Sequence, residues 1–159
     1  MNALLLAVLL VGSLSGGAIP KASPQPVVLL APGHFRLEVV SQGGVWDYVP
    51  SSFGAVSQFE RPAEQFGTAG FLAHDYLSGK EFYELERGDA LLLVYPDRIE
   101  LYKVSAVHAY TYVSAEQSWQ VYEDIYGHNS LVLQTCYGGT GFWFVVATRS
   151  VVRYRTSRR

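Results

Sequence analysis

The chain has one cysteine and four histidines, and a thiol activated by an imidazole is the nucleophile that these residue types can build. Cys136 closes the apolar run Leu131-Val132-Leu133-Gln134-Thr135-Cys136 and is followed at once by the glycine-rich turn Tyr137-Gly138-Gly139-Thr140-Gly141. A thiol at a strand end can be partly exposed while sheet pairing fixes its backbone, which suits a nucleophile better than a loose loop does. Position alone does not make it one, because an isolated cysteine is more often a small buried hydrophobe. The decision rests on which imidazole can reach it.

Spacing sorts the histidines. His128 precedes Cys136 on what reads as the same extended strand, roughly 26 Å away at about 3.3 Å per residue, and is a poor partner. His34 follows Pro32-Gly33 in a turn near the start of the domain, and His108 lies inside an alternating strand; both read as ordinary surface or sheet residues. His74 ends the run Ala69-Gly70-Phe71-Leu72-Ala73, where a strand gives way to the loop Asp75-Tyr76-Leu77-Ser78-Gly79. Like Cys136, it sits at a strand terminus, where a polar group can face a groove.

The elements that must hold these two groups are mostly strands. Short runs rich in Val, Leu, Tyr and Phe are separated by Gly, Pro, Asp and Ser at intervals typical of an all-β sandwich or barrel. Strands are expected at about 26–31, 35–41, 45–49, 68–74, 89–96, 98–113 with a break, 129–136 and 142–155. Two short helices are expected. One runs from Gly79 to Leu85, with Phe82 and Leu85 on one face, and the other from Ala115 to Tyr126, where Trp119, Tyr122 and Tyr126 follow helical spacing behind Ser114 as N-cap. Pro96-Asp97 and Gly138-Gly139 are hairpin turn signals.

In this order the motifs resemble the sortase family. The matching residues are a strand ending in Ala73-His74, a short helix, Phe82-Tyr83-Glu84-Leu85 with Gly88-Asp89 opening the next strand, and a late apolar strand ending in Thr135-Cys136. The resemblance covers roughly Val27 to Tyr154. It implies a closed, eight-stranded sortase-type β-barrel with one or two short helices, and an exported cysteine transpeptidase or peptidase that cuts a sorting motif in a surface protein. By that resemblance Cys136 attacks the scissile carbonyl to give a thioacyl enzyme. His74 protonates the departing amine and then acts as base for the incoming amine or water. The implied partners are a sorting-signal peptide and an amine acceptor, and no cofactor is implied.

The chain departs from the family chiefly at one position; its loop after Cys136 is also short, and Ala73 stands where many members have glycine. Sortases carry an arginine at the start of the last strand, and aligning the run Phe144-Val145-Val146-Ala147-Thr148 places Phe142 there. Arg149 cannot take its place: an odd offset along the strand turns it, Arg153 and Arg155 to the opposite face. Substrate or oxyanion contacts are then expected from Thr135, Tyr137, Gly138 and Phe142, from backbone N–H groups of the Tyr137–Gly141 turn, or from Arg98 of another loop. A rival reading is a catalytically decayed sortase-fold module that binds without cutting. A third is a secreted barrel unrelated to sortases, whose ligand groove is lined by some of its eleven tyrosines. The family reading requires His74 and Cys136 on neighbouring strands.

Composition sets the outer bounds. At 159 residues, 49% hydrophobic and 16% charged, the chain is long enough for one domain with a genuine core. A net charge of −2 gives no general attraction to nucleic acid, and the C-terminal Arg149, Arg153, Arg155, Arg158 and Arg159 read as a solvated strand end and tail. Residues 1–22, with the apolar run Ala3–Val11, read as a signal peptide or short membrane anchor, 23–26 as a linker and 27–157 as the barrel domain. The N-terminal segment thus predicts export to the cell surface or beyond, with membrane anchoring if it is retained. Glu60 and Glu64 lack the ligand-rich loop of a calcium site, and no other metal spacing or phosphate-cradling motif is present.

Overall fold

Alternation of apolar and polar residues along Phe35–Ser41 buries Phe35 and Leu37 and exposes Arg36 and Glu38, and this period of two organises most of the domain. The computed structural model describes residues 25–45 and 48–154. Its strands are β1 (Val28–Ala31), β2 (Phe35–Ser41), β3 (Ala55–Phe59), β4 (Ala69–Leu72), β5 (Ala90–Val94), β6 (Arg98–Tyr110), β7 (Leu131–Tyr137) and β8 (Gly141–Tyr154). They close into an eight-stranded barrel in the order β1-β2-β3-β4-β7-β8-β6-β5, with β1 sealing against β5. Two neighbour pairs, β2/β3 and β4/β7, are parallel and the rest antiparallel.

Two layers of core result. Leu29, Leu37, Val56, Phe71, Leu91, Leu93, Tyr102, Leu131, Leu133 and Val145 fill the barrel interior. On the outer face of the same wall Phe59, Leu72, Val132, Phe144 and Val146 pack under Ile125 and Tyr126 of helix α2 (Ala115–Tyr126). Successive residues of β7 therefore serve different cores: Leu131 and Leu133 point in, and Val132 points out.

Helix α2 starts where expected. The Ser114 hydroxyl accepts from the Gln117 backbone N–H, and the Gln117 side chain accepts from the Ser114 N–H, a reciprocal capping box. The short helix expected from Gly79 to Leu85 is a 3₁₀ segment, Ser78–Glu84, that buries Phe82 completely. The break expected in the long sixth strand appears as register shifts at Leu101/Tyr102 and Val104/Ala106.

Several expectations need correction. The strand expected over 45–49 falls partly on residues 46 and 47, which lie outside the described residues; Val45 and Tyr48 are joined by a turn hydrogen bond of 3.0 Å instead. The strand in that part of the barrel is β3, ten residues later and buried along its whole length. Such a strand has no alternation to read, and Ser57 and Gln58 disguise it further; the Ser57 hydroxyl donates to the Leu72 carbonyl at 3.3 Å. Helix α1 (Glu60–Phe66) was also hidden, by Pro62, which its first turn tolerates, and it ends at Gly67 with φ of 72°. Strand β7 begins at Leu131, so His128 is not on it but just past α2, with Nδ1 3.2 Å from the Asp124 carbonyl. The segment 1–22 lies outside the described residues.

The 3₁₀ segment docks onto β4 and β7 only because residue 79 has no side chain. The Gly79 N–H donates to the His74 carbonyl at 2.9 Å, and a Cβ there would overlap Thr135 Oγ1 and sit 2.7 Å from the His74 oxygen. Gly79→Ala is expected to lower the unfolding free energy by about 1–3 kcal/mol, as overpacking does elsewhere, read from urea unfolding monitored by tryptophan fluorescence.

Candidate active site

The sheet register assembles the candidate site row by row. Tyr110 on β6 lies opposite Phe142 on β8, and Phe142 lies opposite Cys136 on β7. The next row is His108, Phe144, Gln134 and Leu72, on β6, β8, β7 and β4. The parallel ladder of β4 and β7 ends at Leu72 and Gln134, and His74 and Cys136 each follow two residues further along their own segments. Alternation along β7 puts Cys136 on the outer face, the one that carries Val132. The Ala73 N–H donates to the Gln134 carbonyl at 3.2 Å, carrying the pairing past the end of β4.

Cys136 is exposed. Even so, the protein around the sulfur withholds part of its hydration, and this, with the negative charge of Asp75, pushes the thiol pKa up. Both effects favour the protonated thiol over the thiolate. The His74 ring is stacked on Tyr76, with centroids 5.0 Å apart and planes 21° apart.

Two contacts that the sequence did not announce fix the cysteine's backbone. The Tyr83 hydroxyl donates to the Cys136 carbonyl at 2.6 Å. Tyr83 also meets Trp143 and Tyr137 at 5.2 and 6.1 Å, while Trp143 Nε1 donates to the Phe82 carbonyl at 3.3 Å. The 3₁₀ segment is thus tied to both β7 and β8. Phe82-Tyr83-Glu84-Leu85 had been read for its buried positions, and the tyrosine between them was the missed signal.

The remaining sequence candidates divide. Thr135 is buried on the inner face, away from Cys136, and its hydroxyl donates to the Ala73 carbonyl at 2.8 Å; it joins the two strands. Tyr137 packs against Tyr83 and Trp143. Gly138 and Gly139 form the hairpin turn with φ of 60° and 85°. Phe142 stands directly opposite Cys136 and packs on Phe144, with centroids 5.9 Å apart.

Arg98 is not brought to the site. It pairs with Tyr154 at the other end of β8, roughly 40 Å from Tyr110 at about 3.3 Å per residue along β6. There it is committed: its Nε donates to Glu100 at 2.8 Å and its guanidinium lies 3.6 Å from the centre of the Tyr95 ring. Arg149 completes that cluster, donating to Glu100 at 3.1 Å and to Tyr102 at 3.0 Å. Burial alone would raise the Glu100 carboxyl pKa, but the hydrogen bonds from Arg98 and Tyr102 and the two arginine charges hold it below the usual range. A buried carboxylate that needs both cations leaves neither for the thiol.

No protein-family model and no curated protein sequence matches the chain. Solved structures do. The chain resembles the SrtA sortase from Actinomyces oris with a TM-score of 0.61, at 15% identity over 89% of this chain and 88% of that one. It resembles sortase E1 from Streptomyces coelicolor, solved with a tripeptide in the active site, with a TM-score of 0.60, at 17% identity over 85% and 94%. Sortase A from Listeria monocytogenes gives a TM-score of 0.59, at 14% identity over 83% and 92%. The fold is sortase-like.

The electrostatics of the thiol can be tested without a substrate. Asp75 disfavours the thiolate, so Asp75→Asn lowers the Cys136 pKa. The pH profile of iodoacetamide alkylation is expected to move to lower pH, with a faster rate at every pH below the parent's inflection. An unmoved profile would leave burial as the sole cause.

Proposed function

We propose that this domain is a sortase-like cysteine transpeptidase or peptidase that acts through Cys136 and His74. The observation that carries the reading is a sortase-like barrel in which β4 and β7 pair in parallel, with His74 just past the end of β4 and an exposed Cys136 near the end of β7.

In the proposed reaction the Cys136 thiol gives its proton to the His74 imidazole as sulfur bonds to a peptide carbonyl carbon. The C–N bond then breaks, and the leaving amine takes the proton from the imidazolium. A thioester on Cys136 remains. An incoming amine, or water, attacks it, passes a proton to His74, and regenerates the thiol as the C–S bond breaks. The raised thiol pKa fits this order, since the proton leaves as substrate arrives. The substrate would be a sorting-signal peptide of a surface protein and the acceptor an amine. The apolar residues 3–11 support export of the domain to that surface.

One observation favours a second reading. Phe142, flanked by Tyr110 and Phe144, makes the wall facing Cys136 apolar. A decayed module would use this wall to bind a peptide without cutting it.

A library of extended decapeptides, offered with glycinamide as amine, separates the two. The transpeptidase reading expects a hydroxylamine-sensitive acyl adduct on Cys136 by intact mass, absent in Cys136→Ala and slowed about 10²- to 10⁴-fold in His74→Ala. Peptides that bind equally well to parent and Cys136→Ala, with no adduct in either, would establish the binding module.

A further inference from the structure

We propose that the side-chain amide of Gln134 is the hydrogen-bond donor for the acyl oxygen at Cys136, and that Tyr126 is the positioning residue that aims it. The proposal rests on the acyl-transfer reading above.

Gln134 lies two residues before Cys136 on the same face of β7, between Leu72 on β4 and Phe144 on β8. An amide set among apolar neighbours is costly unless its polar atoms find partners. Half of it does. The Tyr126 hydroxyl donates to Gln134 Oε1 at 2.6 Å, from a tyrosine that is 1% exposed and clamped edge-on by Phe59 and Phe144 at 5.5 and 6.3 Å. Burial holds the Tyr126 phenol well above its usual pKa, so it stays a donor throughout the physiological range.

With Oε1 tied to α2, the NH₂ end of the amide points the other way. Among the described residues no buried side-chain nitrogen or oxygen lacks a partner. Gln134 makes one side-chain hydrogen bond, through Oε1. Nε2 is therefore accessible, and its two N–H donors are unspent.

Several cations among the described residues are engaged elsewhere. Arg98 and Arg149 are held by Glu100. Arg61 lies over Trp119 and Tyr122, Lys80 over Phe53, and the residue facing Cys136 is Phe142. When sulfur bonds to the carbonyl carbon, the C=O π pair moves onto oxygen; collapse returns it and expels the leaving group. A fixed N–H aimed at that oxygen lowers both barriers without taking a proton. Because Nε2 is uncharged, it does so without drawing Cys136 into its thiolate form at rest.

The test compares two reactions of the same thiol. p-Nitrophenyl acetate acylates Cys136 through a tetrahedral oxyanion, whereas iodoacetamide alkylates it by displacing iodide, with no oxyanion. The ratio of the two rates cancels changes in thiol ionisation and access. Gln134→Met is expected to lower that ratio about 10²-fold, as removal of one oxyanion donor does elsewhere. Tyr126→Phe, which frees the amide to turn, is expected to lower it by less. If Gln134→Met fails to fold, Gln134→Glu keeps the acceptor for Tyr126 while removing the donor, and should lower the ratio likewise. A ratio unchanged in a folded Gln134 variant would overturn the role of Gln134 and leave the acyl-transfer reading standing. A parent protein that is alkylated by iodoacetamide but never acetylated on Cys136 would overturn both.

Discussion

The site depends on the parallel pairing of β4 with β7, held at its working end by the Thr135 hydroxyl on the Ala73 carbonyl, a contact between residues 62 apart in sequence. That bond does more than join two strands. It fixes the phase of both, and in a sheet phase decides which face each side chain takes. With Thr135 inward, Gln134 and Cys136 must face out, as must Leu72 on β4. A slip of one residue in β7 would send the thiol into the barrel. Gly79 lets the 3₁₀ segment approach this point closely, and Tyr83 then holds the carbonyl of the next residue.

Much of this was legible in the chain because it depends on local rules. Cys136 and His74 each end a hydrophobic run, and strand termini are where polar groups can leave a core. The Ser114 cap of α2 and the hairpins around Pro96-Asp97 and Gly138-Gly139 follow from turn and cap chemistry alone. What was not legible depends on partners far away in sequence. Strand β3 is covered on both faces and so shows no period, and its neighbours are supplied by β2 and β4. Thr135 beside the cysteine looked like a substrate contact, yet alternation puts it inside. Arg98 looked free because its anchor, Glu100, draws its second cation from Arg149 on another strand. Gln134 reads as one polar interruption in an apolar strand for a different reason: its partner Tyr126 is only eight residues back, but on a helix whose docking sets the contact.

Charge is segregated in this barrel. One end holds Glu100 with two arginines and two tyrosines, a cluster whose members satisfy one another. The other end holds a thiol, an imidazole stacked on a phenol, a tied amide and a row of aromatic rings. Asp75 is the charge that acts on the thiol, and it acts against ionisation. Such a site stores little reactivity at rest. For an exposed cysteine this is protective, because oxidation and disulfide exchange both proceed through the thiolate.

The order of strands around the barrel has a consequence in time. Strands β4 and β7 are neighbours in space, but β5, β6 and α2 lie between them along the chain. While the polypeptide is being made, β4 has no β7 to pair with, and no piece of the chain that stops before β7 can form this part of the wall. Loops closed over such distances are slow to form. The outer face around Cys136 is therefore assembled only late, once β7 has joined β4, and an immature chain carries its thiol without that surface.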